Sequence, residues 1–110
     1  MDYTEWLRRL ALNDVQLPDD VADADALGAP RELDPKTLAL VRLAALVAVR
    51  GAGASYGEHV DRAVSAGATA EEIVQVLVAV TPVVGLPCAV AAAPNVALAL
   101  GYDTDNVFER

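Results

Sequence analysis

His59 is the only histidine of this chain, and imidazole is the side chain whose ordinary titration range lies near neutrality. Held against a substrate it can give or take a proton, as a step through a carbanion or enolate requires. Ser55 stands one helical turn earlier on the same face, where its hydroxyl can orient a substrate by hydrogen bonding. His59 also suits a purely structural place between packed helices. Arg42 lies in the run Leu38 to Val49, which is otherwise apolar. A buried guanidinium left alone is costly, so Arg42 needs a carboxylate such as Glu58, Asp61 or an acid of the N-terminal arm, a bound anion, or solvent. Recognition of a substrate carboxylate is the functional version of that requirement. Glu58 and Arg62, four residues apart, make a surface ion pair of a few tenths of a kcal/mol or else contribute to a binding site. Cys88 follows Pro87 near the start of a helix, a setting that lowers a thiol pKa and allows modest reactivity; without a second cysteine, a small packing residue is the better reading. Tyr56 belongs to a core or an interface, and its hydroxyl is able to reach a pocket.

Composition limits what these residues can be part of. The 110 residues fit one domain and hold 16 acids against 8 basic residues, a net charge of −8. Residues 1–34 carry nine acids against Arg8, Arg9 and Arg31, and residues 35–101 are neutral, with four charges of each sign. Nucleic acid is excluded as a partner, because phosphate binding needs a cationic footprint, and so is an anionic membrane surface. Cys88 is the only cysteine, which rules out an intrachain disulfide and a cysteine zinc cage. No metal constellation is visible, and no cofactor is expected. The start, with Asp2 and Glu5, lacks the basic-then-apolar pattern of a signal peptide, so a reducing, cytoplasmic location is the default expectation. No charge occurs from Ile73 to Leu100, a stretch long enough to cross a bilayer. Pro82, Gly85, Pro87 and Pro94 interrupt it, and a buried core or subunit interface is the expected role.

The elements that position these residues read as helices throughout, an all-α fold. Asp2 with Glu5 has capping-box spacing and opens a helix over Tyr3–Leu12, with Trp6, Leu7, Leu10 and Ala11 for packing. An acidic arm follows, with a short helix ending at Gly28. Asp34-Pro35 starts a helix that runs to Arg50 and stops at Gly51. It is apolar on every side but Arg42, and a helix of that kind must be buried all round. The next helix spans Ala54–Ala66 and ends at Gly67. Its apolar stripe is Tyr56, Val60, Ala63 and Val64, Glu58, Asp61 and Arg62 lie opposite, and His59 sits at the border. Thr69 and Glu72 form a second capping box for a helix over Ala70–Thr81. Pro82 to Pro87 bends the chain, and a last helix covers Cys88–Leu100, with a kink at Pro94 and a stop at Gly101. The expected organisation is an acidic helix and arm over 1–32, a helical core over 33–103 and a tail over 104–110.

Three motifs in order, LDPKT at 33–37, EHVDRAVSAGATAEEI at 58–73 and VVGLPCAVAAAP at 83–94, resemble the core of the carboxymuconolactone decarboxylase and alkylhydroperoxidase D-like family. The resemblance covers about two-thirds of the chain. It implies an all-α helical bundle that assembles into trimers or hexamers, with sites near subunit boundaries. The family's peroxidase branch carries Cys-x-x-Cys-x-x-x-His. Counted back from His59, its two cysteines fall on Ala52 and Ser55. Thiol peroxidation needs an attacking thiolate and usually a resolving thiol, so two-cysteine peroxidase activity is not expected. The decarboxylase branch keeps the histidine with an acid one turn before it; here that place holds Ser55.

Three functions stay open at this point. One is a carboxy-lyase-like or isomerase activity on a small organic acid, with His59 as general acid/base, Ser55 assisting, and Arg42, Glu58, Tyr56 and Cys88 near the substrate. Another is a member without redox activity that serves as a binding or scaffold oligomer. The last is a one-cysteine peroxidase using Cys88 with an external thiol. In each case the chain is expected to be a homo-oligomer, because short helices of Ala, Val and Leu cannot cover the apolar surface of 35–50 and 73–100 within one chain.

Overall fold

The computed structural model describes residues 3–12 and 33–102. Among them are five α-helices and no strand, as expected: α1 Tyr3–Ala11, α2 Pro35–Ala48, α3 Gly53–Ser65, α4 Ala70–Val84 and α5 Leu86–Ala99. The chain divides into two compact units, Met1–Arg31 and Glu32–Arg110. In the first, Glu5 accepts from Arg8 and Arg9, with Oε1 at 2.7 Å from Arg8 Nη2 and 3.2 Å from Arg9 Nε. Leu7 and Leu10 are exposed and Trp6 is half-buried. Asp2, the arm helix expected to end at Gly28, and the tail lie outside the described residues.

In the second unit, α2 packs on α3, α4 and α5, and α5 also packs on α3 and α4. The core takes residues at helical spacing from each element: Leu43 and Val47 of α2, Tyr56, Val60 and Ala63 of α3, Ile73 and Leu77 of α4, and Ala92 and Val96 of α5. Each set falls on one helix face because residues four apart lie one turn above each other. The α3 stripe is narrower than expected, since Val64 is exposed. The expectation that α2 is buried all round is also not met within one chain. Only Leu43 and Val47 are buried on it, and Val41 and Val49 are exposed.

Two N-terminal caps set the register. Asp34 Oδ1 accepts from the Thr37 N–H at 2.7 Å, and Pro35 occupies the first turn of α2. Thr69 Oγ1 accepts from the Glu72 N–H, and Glu72 Oε1 accepts from the Thr69 N–H, both at 3.0 Å, completing the capping box. Glu72 Oε2 also takes Lys36 Nζ at 3.0 Å, which ties the first turn of α4 to that of α2. These bonds hold both carboxyls below the ordinary carboxylate range: the Thr37 N–H acts first on Asp34, and the Thr69 N–H and then Lys36 act on Glu72.

The C-terminal ends differ from expectation in one place. Three helices end in the same motif, in which two successive N–H groups return to carbonyls of the last turn while one residue turns left-handed. In α3 that residue is Gly67 (φ 99°) and in α5 it is Gly101 (φ 88°). In α2 it is Arg50 (φ 54°); the Arg50 N–H bonds Val47 O at 3.3 Å and the Gly51 N–H bonds Leu46 O at 3.0 Å. Gly51 therefore follows the left-handed residue instead of supplying it. The reason is packing, because a Cβ at Gly51 would overlap the Leu46 side chain.

The bend expected over Pro82 to Pro87 narrows to one residue. Helix α4 passes through Pro82 to Val84, and α5 begins at Leu86. Proline removes its own N–H from the ladder, but the ladder resumes at once: the Gly85 N–H bonds Thr81 O at 2.8 Å, and Thr81 Oγ1 donates to Leu77 O at 2.6 Å. The break falls at Gly85, whose φ of 91° suits glycine. Pro94 also lies inside its helix.

Candidate functional site

Ser55 and His59 occupy one stripe of α3, flanking the buried face of Tyr56, Val60 and Ala63, and both are half-buried. Ala52 caps the start of α3 through its carbonyl, which accepts from the Ser55 N–H at 3.0 Å. The two positions that would carry a cysteine pair thus form the first turn of this helix. Arg42 is half-buried on α2, next to Leu43. Glu58 and Arg62 pair on the exposed face, with Arg62 Nη2 2.8 Å from Glu58 Oε1 and both side chains more than half exposed. That geometry is the surface ion pair anticipated from spacing. Two shallow grooves run along α4, one lined by Ala70, Glu71, Val74, Gln75 and Tyr102, the other by residues from Leu40 to Ala79. Neither contains His59, Ser55 or Arg42.

A second grouping forms where the end of α2 meets the start of α5. Arg50 Nε donates to Cys88 Sγ at 3.5 Å. The Cys88 sulfur beside it holds the guanidinium above its ordinary range. Tyr56 is 2% exposed. Burial pushes its phenol up, and Cys88 adds to the shift. Of the residues singled out from sequence, Cys88 thus meets a partner outside that set, Arg50. Arg50 is the residue that sequence reasoning missed. Its signal is a left-handed φ, a backbone property that no residue type announces; the one clue in the sequence is a basic residue directly before Gly51 at a helix end.

A match to the carboxymuconolactone decarboxylase family covers residues 16–97. The chain belongs to that family. No curated protein and no solved structure matches it. The family match begins upstream of Leu33, where the motifs of the core start, and so includes residues outside the described set. Among its described residues this carboxymuconolactone decarboxylase family member is all-helical, as expected, and no helix there is long and apolar enough to cross a membrane. His59 lies on α3, and the turn before it carries the hydroxyl of Ser55.

Proposed function

We propose that this family member is a decarboxylase-like lyase or isomerase acting on a small organic acid, with His59 as the general acid/base. The observation that carries the reading is the half-buried stripe of Ser55 and His59 on α3 in a carboxymuconolactone decarboxylase family chain. An imidazole at that depth is neither sealed into the core nor fully hydrated, which suits a group that exchanges protons with a bound molecule. In a decarboxylation the C–C bond to the carboxylate breaks, carbon dioxide leaves, and the electron pair passes into a conjugated carbonyl. The imidazolium of His59 then protonates the carbon. Ser55 hydrogen-bonds the substrate, and Arg42 holds a carboxylate; the exposed Glu58 is left to its ion pair with Arg62. The site is completed by a second copy of the chain, since the exposed apolar faces of α2, α4 and α5 support a homo-oligomer, a trimer or hexamer by family resemblance.

The test is carbon dioxide release from carboxymuconolactone by the intact chain and by His59→Gln. The variant should lose about a hundredfold or more in turnover with an unchanged unfolding midpoint. Equal turnover in both proteins, or none in the intact chain, would overturn the reading. In the latter case the same apolar faces favour the alternative, a binding or scaffold oligomer without redox activity.

A further inference from the structure

Residues 35–101 hold four acids and four bases, and the fold does not pair them all within one chain. Lys36 takes Glu72, and Arg62 takes Glu58. Among the described residues Glu71, Asp61 and Arg50 meet no charge of opposite sign; the Arg50 side chain meets only the Cys88 sulfur. Geometry keeps Arg50 from the free carboxylate of Glu71. The Lys36–Glu72 pair joins the first turn of α2 to that of α4. Arg50, just past the end of α2, reaches Cys88 in the first turn of α5, directly after the end of α4. So α2 and α4 run side by side in the same direction, with Glu71 at one end and Arg50 at the other. At 1.5 Å per residue the two lie about 20 Å apart, well beyond the reach of an arginine side chain.

Both charges stand among exposed apolar side chains. At the Arg50 end these are Val49, its neighbour in the chain, and Val83 and Leu86 at the joint between α4 and α5. At the other end Glu71 lines a shallow groove with Val74 and Tyr102, both exposed. Asp61 is set differently: it shares the exposed face of α3 with the Glu58–Arg62 pair and lines neither groove. An apolar patch holding one charge cannot be covered by a purely apolar surface without stranding that charge. Each patch therefore selects a partner that offers apolar side chains around a charge of opposite sign. The other end of the same chain offers that.

We propose that the patch of Val49, Arg50, Val83 and Leu86 docks on the patch of Glu71, Val74 and Tyr102 of a second copy, with Arg50 paired to Glu71 of the partner subunit. The inference rests on the homo-oligomer of the proposed function and adds which surfaces meet. Head-to-tail, the contact repeats until a ring closes; about a two-fold axis, it is made twice in each dimer. In both arrangements the two charges left unmatched in one chain are matched between chains.

The contact is tested by reversing its charges. Light scattering over a dilution series gives the concentration at which the assembly is half dissociated. Arg50→Glu and Glu71→Arg each set like charges together and should raise that concentration about tenfold or more. The double variant R50E/E71R restores opposite charges and should recover most of the loss. Asp61→Arg changes the charge by as much on a face outside the contact and should leave the assembly as in the parent. Arg50→Gly, which accepts the left-handed turn, should act in the same direction as Arg50→Glu and stands in for it if that variant does not fold. An oligomeric parent whose mass withstands both single reversals would overturn this contact and leave the homo-oligomer standing. So would a double variant no better than the single ones, or a loss in Asp61→Arg as large as in Glu71→Arg. A monomeric parent would overturn both.

Discussion

At the scale of single residues, Tyr56 separates packing from chemistry within one side chain. Its ring belongs to the core with Val60 and Ala63, while its hydroxyl has no hydrogen-bond partner among the described residues. Tyr56→Phe removes a group that stabilises nothing in the isolated fold, so unfolding free energy by urea titration should stay within about 0.5 kcal/mol of the parent. Tyr56→Ala should lose about 3–5 kcal/mol, the usual cost of truncating a buried aromatic residue. A large loss in Tyr56→Phe would mean that the hydroxyl has a structural bond, contrary to the packing described. The residue types visible in the sequence were enough to single out Tyr56, Cys88, Ser55 and His59. They were not enough to say what each would meet: Cys88 finds Arg50, 38 positions away in the chain, and only the folding of α2 against α5 brings those two together. Arg50 was illegible for a different reason: its position depends on where the helix end places the left-handed turn.

At the scale of elements, that turn yields a direct prediction. Glycine adopts the left-handed region without the penalty a side chain incurs, so Arg50→Gly should raise the thermal unfolding midpoint even as it removes the cation. A residue kept against the preference of its own backbone is a sign of a role other than stability. The caps make a second prediction, on pH. Asp34 and Glu72 are both held below the ordinary carboxylate range, so the unfolded chain binds their protons more tightly than the folded one. Their contribution is complete above the ordinary carboxylate range and is lost as pH falls through the depressed folded values. The unfolding midpoint of the parent should therefore drop on acidification more steeply than that of Asp34→Asn/Glu72→Gln, whose caps do not titrate. Thr69→Ala, which removes the other half of the capping box, should cost about 1 kcal/mol at neutral pH. Helix starts were legible because capping chemistry is local: Asp34-Pro35 and Thr69 with Glu72 stand where the sequence places them. Ends were less so. Gly51 looked like a stop signal but serves the approach of Leu46, and Pro82 looked like a break but sits inside a helix whose ladder closes around it.

At the scale of the whole molecule, the four-helix unit buries a compact set of side chains and leaves much apolar surface outside. Val78, Val83, Leu86, Val90 and Leu98 are all more than half exposed, in the stretch from Ile73 to Leu100 that carries no charge. Patches of that kind on a monomer favour association, and closed symmetry between identical copies limits its growth. Light scattering at low micromolar concentration should give a mass several times the 11.5 kDa chain. Val83→Glu with Leu98→Glu should shift that mass downward, because burying an unpaired carboxylate at an interface is costly. A stable folded species of monomer mass in the parent chain would rule the assembly out. The sequence anticipated this surplus from the all-round apolar character of α2. One chain buries only Leu43 and Val47 of that helix, so the rest of its surface supports the same reading.

The single-residue joint at Gly85 has a consequence in time. Helices α4 and α5 are neighbours in sequence and in space, joined with almost no loop to close, and α2, α3 and α4 are linked by connections of only a few residues. Contacts between such near neighbours form early, since little chain entropy is lost in making them. Encounters between chains are second-order and depend on concentration. Refolding followed by stopped-flow circular dichroism should then show helix recovery in a rapid phase that is the same at every chain concentration. Burial of the exposed valines and leucines should follow in a slower phase that accelerates as the chain concentration is raised.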